Sequence, residues 1–176
     1  MGATHTPLPS KLVIGFLARN AELINKLRPK LQSLYGEESS ILEPFPFKFT
    51  NYYIEEIGNT PVRAFITYKT LIARETIVDI KLKTNEIELE FAKECGTEGL
   101  RPVNLDPGYM TLGQFFLATT KDQRQRVYMR NGIYVEPTLY FQDNHFHAFP
   151  WTYRDYQSEE YILFLESVRK ELRKEI

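Results

Sequence analysis

Three groups of residues in this 176-residue chain have types and spacing that can carry chemistry. His145-Phe146-His147 sets two imidazoles two residues apart, and on a strand that spacing turns both to one face, where they can share a divalent metal. Glu136 would join that face as a third ligand if the strand runs past Pro137 without a bulge. The site would then suit a metal-dependent hydrolase. Asn104 and Asp106 stand at the end of a short strand candidate, where Asp106-Pro107-Gly108 has the chemistry of a turn. A carboxylate there either meets a ligand beside the next helix or caps its own turn as an Asx motif. Lys121, Arg124, Arg126 and Arg130 gather positive charge around Tyr128. Guanidinium forks take phosphate bidentately and the ring offers a stacking face, although the same strip also reads as the charged border of an edge strand.

Other chemistries lack their residues. There is no G-x-S-x-G elbow, no G-x-x-x-x-G-K-[ST] loop and no G-x-G-x-x-G, and Cys95 has no histidine near it in sequence. A lone cysteine forms no internal disulfide, which fits a reducing cytoplasm. Lys and Arg number 22 against 23 Asp and Glu, so the net charge of -1 draws neither nucleic acid nor anionic lipid by long-range attraction. No apolar run approaches the roughly 20 residues of a membrane-spanning helix, and no membrane partner is expected. Phe 12, Tyr 11 and Trp 1 make an aromatic-rich chain, which suits both a sandwiched core and a ligand groove.

These residues need elements to hold them. Residues 1–10, with Pro7 and Pro9, read as a flexible leader, and residues 11–176 as one α+β domain. Leu12 to Leu17 is a short apolar run suited to a strand buried on both faces. Asn20 is placed to cap a helix carrying Leu23, Ile24, Leu27, Leu31 and Leu34 up to Gly36, with Pro29 expected to kink or split it. Glu37 to Pro46 reads as a turn-rich connection before a strand of Phe45, Phe47 and Phe49 extended by Tyr52-Tyr53. Gly58-Asn59-Thr60-Pro61 then turns the chain into a second strand, Val62 to Tyr68. A helix follows from Arg74 to Gly96, then a strand from Arg101 to Asp106 and a short helix over Leu112–Ala118.

Two hairpins come next, one over Val127–Glu136 about Asn131-Gly132 and one over Thr138–Phe149 about Asp143-Asn144. In the first, Arg126, Tyr128 and Arg130 are expected to face away from a core that takes Val127 and Met129. Ser158, with Glu160 after it, opens a C-terminal helix whose Tyr161, Phe164, Leu165, Val168 and Leu172 share one face. Its Arg169, Lys170, Glu171, Arg173 and Lys174 read as a solvated face. The order is β-α-β-β-α-β, a ferredoxin-like mixed or antiparallel sheet extended by two C-terminal hairpins and a C-terminal helix. Exposed hairpin edges make a homodimer by strand addition an expected partner state.

Asn104-Leu-Asp-Pro-Gly-Tyr-Met-Thr-Leu, Ala118-Thr-Thr-Lys, Gly132-Ile-Tyr and Trp151-Thr-Tyr-Arg-Asp-Tyr occur in an order that resembles a bacterial family catalogued as domain of unknown function four-four-one-six. Tyr52-Tyr53 and the Lys81-Leu-Lys-Thr-Asn-Glu run match it more loosely, while Pro137 and Arg154 depart from it. The resemblance implies a bacterial cytosolic protein of about this length and supplies no catalytic residues.

The residues favour binding of a small anionic ligand, a nucleotide or another phosphorylated metabolite, near Asp106, Lys121, Arg126 and Tyr128. The metal-dependent hydrolase is one alternative, with a divalent metal as its cofactor; otherwise the sequence requires no cofactor. An RNA-binding or protein-interaction module is the other. Ala64-Phe65-Ile66-Thr67-Tyr68 echoes an RNA-recognition strand, but Arg63 and Val13 stand where that module wants aromatic rings.

Overall fold

The computed structural model describes residues 2–49, 57–58, 60–97 and 100–176. The expected strand extension through Tyr52-Tyr53 and the turn residue Asn59 lie outside them. Residues 2–9 are exposed and carry no regular structure. The first strand, β1, spans Ser10–Ala18 and is buried along its whole length. Asn20 caps α1, Ala21–Tyr35, its Oδ1 accepting from the Leu23 N–H at 3.1 Å. Pro29 does not split α1. It lies on the exposed side, where water can satisfy the Asn25 carbonyl that loses its helical donor.

β2 is Glu38–Pro46 and pairs with β3, Val62–Ile72. The strand therefore occupies the stretch read as a connection, and Phe47 and Phe49 lie beyond it. β2 is a sheet edge, half-exposed and broken by two register shifts, so it needs no strict apolar alternation. Helix α2, Ile77–Glu94, follows as expected.

β4 spans Val103–Met110 and runs straight through Asp106-Pro107-Gly108, which is not a turn. Along one flank it pairs with β1 for its full length, Asp106 opposite Gly15 and Pro107 opposite Ile14. Along the other it meets β5, Gln114–Thr119, only at Gly108, Tyr109 and Met110. The expected helix over Leu112–Ala118 is this strand. Its residues are buried on alternate faces, Phe115 and Leu117 on one and Phe116 and Ala118 on the other, and a short run buried both ways has no helical or strand period to read.

β6, Val127–Arg130, and β7, Ile133–Gln142, form the first hairpin, with Asn131 and Gly132 at φ of 53° and 76°. β8, His145–Ala148, returns along β7 after Asp143 and Asn144 at 50° and 62°. Both hairpins match the sequence reading because two consecutive left-handed residues are what such tight turns require. β6 differs in its packing. It is the other edge of the sheet, and Val127 is 61% exposed rather than turned to a core.

All pairings are antiparallel, in the order β2-β3-β1-β4-β5-β7-β6 with β8 on β7. Helices α1 and α2 cover one face through Ile24, Leu27, Ile77 and Ile87, packed on Leu12, Ile14 and Leu105. The C-terminal helix α3, Glu159–Glu175, covers the other, with Tyr161, Leu165 and Val168 over Val13, Phe65 and Phe115. Ser158 stands at its N-cap as expected, although its side chain makes no capping bond. The charged side of α3 is less free than its sequence implies, because Glu171 and Glu175 reach the buried Lys11 ammonium at 3.3 and 2.6 Å. Arg169 lies over the Phe141 ring and donates to the Leu112 carbonyl. Among the described residues no helix is long and apolar enough to cross a membrane.

Gly108 holds the β4–β5 junction together. A Cβ there would sit 2.3 Å from the Phe116 carbonyl oxygen and 2.9 Å from the Phe115 ring. Gly108→Ala is expected to destabilise the fold by about 1–3 kcal/mol in urea denaturation, the range for overpacking a rigid contact; an unchanged midpoint would contradict this close approach.

Candidate functional site

Beyond Gly108 and Leu117 the paired strands part. β4 continues back to Val103 while β5 continues to Thr119 in pairing with β7, so a slot opens in the sheet between them. Leu105 shows how the exposed flank of β4 is satisfied. Its N–H donates to Glu88 Oε1 at 2.7 Å and its carbonyl accepts from Lys81 Nζ at 2.9 Å, both groups coming from α2. Main-chain groups of alternate strand residues point to the same flank. Pro107, two residues on, therefore aims its missing N–H into the slot, where no ladder needs it.

A cavity of about 500 Å³ fills the slot. It passes through the sheet: Lys81 and Asn85 of α2 line it on one face, and Tyr153, Arg154, Asp155 and Tyr156 line it on the face covered by α3. Six of its lining side chains are basic and three are acidic.

Arg63 of β3 is the hub of the α3 side. It is 3% exposed and donates through Nη1 to Asp106 Oδ2 and through Nη2 to the Tyr156 hydroxyl, both at 2.8 Å, with Asp155 4.0 Å away. Its guanidinium lies 4.9 Å from the Phe65 ring centre, and a Cβ on Gly15 would stand only 3.0 Å from its Nη2 and from the Phe65 ring. Asn104 donates to the second Asp106 oxygen at 2.7 Å and accepts from Arg101 at 3.1 Å. Burial pushes the Asp106 carboxyl up, but Arg63, Lys81 and Asn104 together hold it below the usual carboxylate range. Asp155 moves the other way, raised by burial against the pull of Arg63.

Across the slot Arg126 donates to Glu136 at 2.8 Å, to the Lys121 carbonyl at 2.9 Å and to the Tyr153 hydroxyl at 3.0 Å. Gln125 adds a bond to Glu136 at 3.2 Å. Thus Asn104, Asp106, Lys121 and Arg126 are brought together. Asp106 anchors a buried arginine and does not cap a turn. Arg124 and Tyr128 are exposed outside the cavity, and Arg130 pairs with Asp79 of α2 at 2.7 Å.

The histidines are not part of this assembly. They share a strand face as expected, but His145 Nδ1 lies 2.6 Å from Glu166, and His147 bonds the Gln142 carbonyl at 3.0 Å while stacking on Tyr140. A bulge at Thr138 sets Pro137 opposite Phe116 and Glu136 opposite Leu117. One extra residue moves everything before it to the opposite face, so Glu136 turns to the α3 side and to Arg126, away from the face of the histidines. Among the described residues no three of His, Cys, Asp and Glu are grouped to hold a metal. The sheet face on which an RNA-recognition module would stack bases is covered by α3, and Phe65 is buried beneath Tyr161 and Phe164.

Comparison with known families places 8–172 in a match to the model described as Domain of unknown function (DUF4416). The chain belongs to that family. No curated protein and no solved structure shows significant similarity to it. The slot lies wholly within the matched region of this DUF4416 protein.

Sequence reasoning missed Arg63, Lys81, Tyr153 and Asp155. One signal was present: Lys81 and Glu88 fall on the helix stripe otherwise formed by Ile77, Ile80, Thr84, Ile87 and Phe91, where charge has no place unless it is bonded. In this DUF4416 protein burial pushes the Glu88 carboxyl up to about 7, against the opposing pull of Lys81 and the Leu105 N–H. The folded protein then holds a proton between pH 4.5 and about 7 that the unfolded chain releases. Stability is expected to fall as pH rises through that window. Glu88→Gln keeps an acceptor for Leu105 and should flatten the decline in urea midpoints measured from pH 4.5 to 7.5; a decline equal to that of the wild type would show that Glu88 does not cause it.

Proposed function

We propose that this protein binds a small phosphorylated anion, a nucleotide or another phosphorylated metabolite, in the slot between β4 and β5. Two cations on the lining, Lys81 and Arg154, carry the reading. Each of the three carboxylates already has a partner in the protein: Asp106 and Asp155 have Arg63, and Glu136 has Arg126. Of the other cations on the lining, Lys81 and Arg154 make no ion pair among the described residues, and the cavity volume is within the roughly 300–1,000 Å³ of ligand pockets. Arg154 makes no hydrogen bond or ion pair through its side chain among the described residues, and the Tyr153 ring stands at the same rim, half-exposed. A guanidinium beside an open ring suits a phosphate joined to a flat or sugar-like group.

Three wider expectations belong to the same reading. The order β2-β3-β1-β4 supports a ferredoxin-like first half. A single exposed, free cysteine suits a reducing cytoplasm. Dimerisation by strand addition would use β6, where Val127, Tyr128 and Met129 are all exposed on an open edge.

The test is thermal denaturation in the presence of inorganic phosphate, nucleotides, sugar phosphates and, separately, zinc and manganese. A ligand at a hundredfold excess over its Kd stabilises by about 2.7 kcal/mol. Arg126→Ala is a poor probe, since it would strand Glu136 in the core. Arg154→Ala leaves no buried charge behind and is expected to weaken binding about tenfold, the loss of one charge-assisted contact. No stabilisation by any phosphorylated compound would refute the proposal, and a shift confined to zinc or manganese would favour the hydrolase.

A further inference from the structure

Lys81 is in an unusual position. Its residue is 7% exposed, it lines the cavity, and its ammonium makes one hydrogen bond, to the Leu105 carbonyl. Among the described residues it has no carboxylate within ion-pair distance: Glu88 bonds the Leu105 N–H, and Asp106 is held by Arg63 and Asn104. An ammonium has three donors, and among the described residues Lys81 uses one of them, while Asp106 and Glu88 act on its charge from beyond ion-pair distance. The neighbouring α2 residue on the cavity wall, Asn85, is neutral.

Lys81 also stands on the opposite side of the sheet from Arg154. Helix α2 packs on the face formed by Leu12, Ile14 and Leu105, whereas Tyr156, next to the Arg154 segment, packs with Val13 and Phe65 on the other. The cavity joins the two through the gap in the sheet. A ligand with two anionic groups could meet one of these cations on each side.

We infer that the ligand carries an anionic group at each end, as a phospho-carboxylate or a bisphosphate does, and threads the slot so that Lys81 holds one end and Arg154 the other. This rests on the slot being the ligand site and narrows what it accepts. A nucleoside monophosphate, with its charge at one end, would leave the spare Lys81 donors without an anionic group to take them. Asn104 and Asp106 line the passage on β4, and their oxygens, though already bonded within the protein, keep acceptor capacity for hydroxyl groups between the two ends.

The experiment is calorimetric titration of the full chain with two matched pairs: 3-phosphoglycerate against glycerol 3-phosphate, and fructose 1,6-bisphosphate against fructose 6-phosphate. In at least one pair the two-ended compound is expected to bind about tenfold tighter or more. Lys81→Met should reduce that compound to the affinity of its single-ended partner and leave the partner unaffected, while Lys81→Arg should keep the preference. If all four compounds bind but neither pair discriminates, the two-ended ligand is refuted and the slot as an anion site survives. If Lys81→Met weakens both members of a pair equally, Lys81 is no end-group anchor and the inference falls. If none of the four binds and no other phosphorylated compound stabilises the protein, both readings fail together. The comparison of ligands on the wild-type chain decides the matter even if Lys81→Met does not fold.

Discussion

The structure depends on one unpaired strand flank. Pro107 stands just past the end of the β4–β5 ladder, where no N–H is needed, and Gly108, immediately after it, lets the Phe116 carbonyl approach closer than any side chain would allow. One residue closes the junction and its neighbour stands where it opens. The flank left bare, with both main-chain groups of Leu105, would be an orphaned donor and acceptor inside the protein if Glu88 and Lys81 did not reach them. A helix thereby does the work of a strand with two side chains, and the volume that a strand would have filled stays open.

Keeping such a gap polar without collapse requires charges fixed from several sides. Arg63 is fixed most tightly, between Asp106, the Tyr156 hydroxyl and three aromatic rings, and Arg126 is clamped by Glu136, the Lys121 carbonyl and Tyr153. Both arginines use their forks on the protein itself. They hold the carboxylates and tyrosines of the wall in place, and under the proposed binding role recognition would fall to the side chains with donors to spare. Rigid surroundings of this kind would lower the ordering cost of the proposed binding, because the site would not have to form when a ligand arrived.

The parts of this architecture that local chemistry dictates were legible in the sequence. Asn131-Gly132 and Asp143-Asn144 demand left-handed backbone, Asn20 demands a helix start, and the α3 stripe has the period of a buried helix face. Other parts depend on neighbours. β2 is a strand because β3 offers it an edge, and Asp106-Pro107-Gly108 has the composition of a turn yet acts as the end of a ladder. β5 was misread because it is buried on both faces. In the site, Asn104, Asp106, Lys121 and Arg126 announce themselves as polar groups at a strand end and in a basic run. Arg63 stood out only as a misfit to an RNA-recognition strand, Lys81 was hidden in a helical stripe, and Asp155 in an aromatic connection. Their meeting is a product of sheet order, which brings β3, α2 and the segment before α3 to the same gap from positions far apart in the chain.

The bulge at Thr138 shows how little is needed to decide which chemistry such a sheet can do. Without it, Glu136 would face the same side as His145 and His147, and three metal-ligating groups would share one strand surface. With it, Glu136 crosses to the other face and neutralises Arg126, and the histidines are left to Glu166 and to a main-chain carbonyl. Pro137 sits beside the bulge, at a point where a regular ladder would have missed its N–H. Both prolines that interrupt strand patterns in the second half of the chain, Pro107 and Pro137, therefore act on the same site. One stands where the slot opens, and the other stands at the irregularity that turns a carboxylate into its wall.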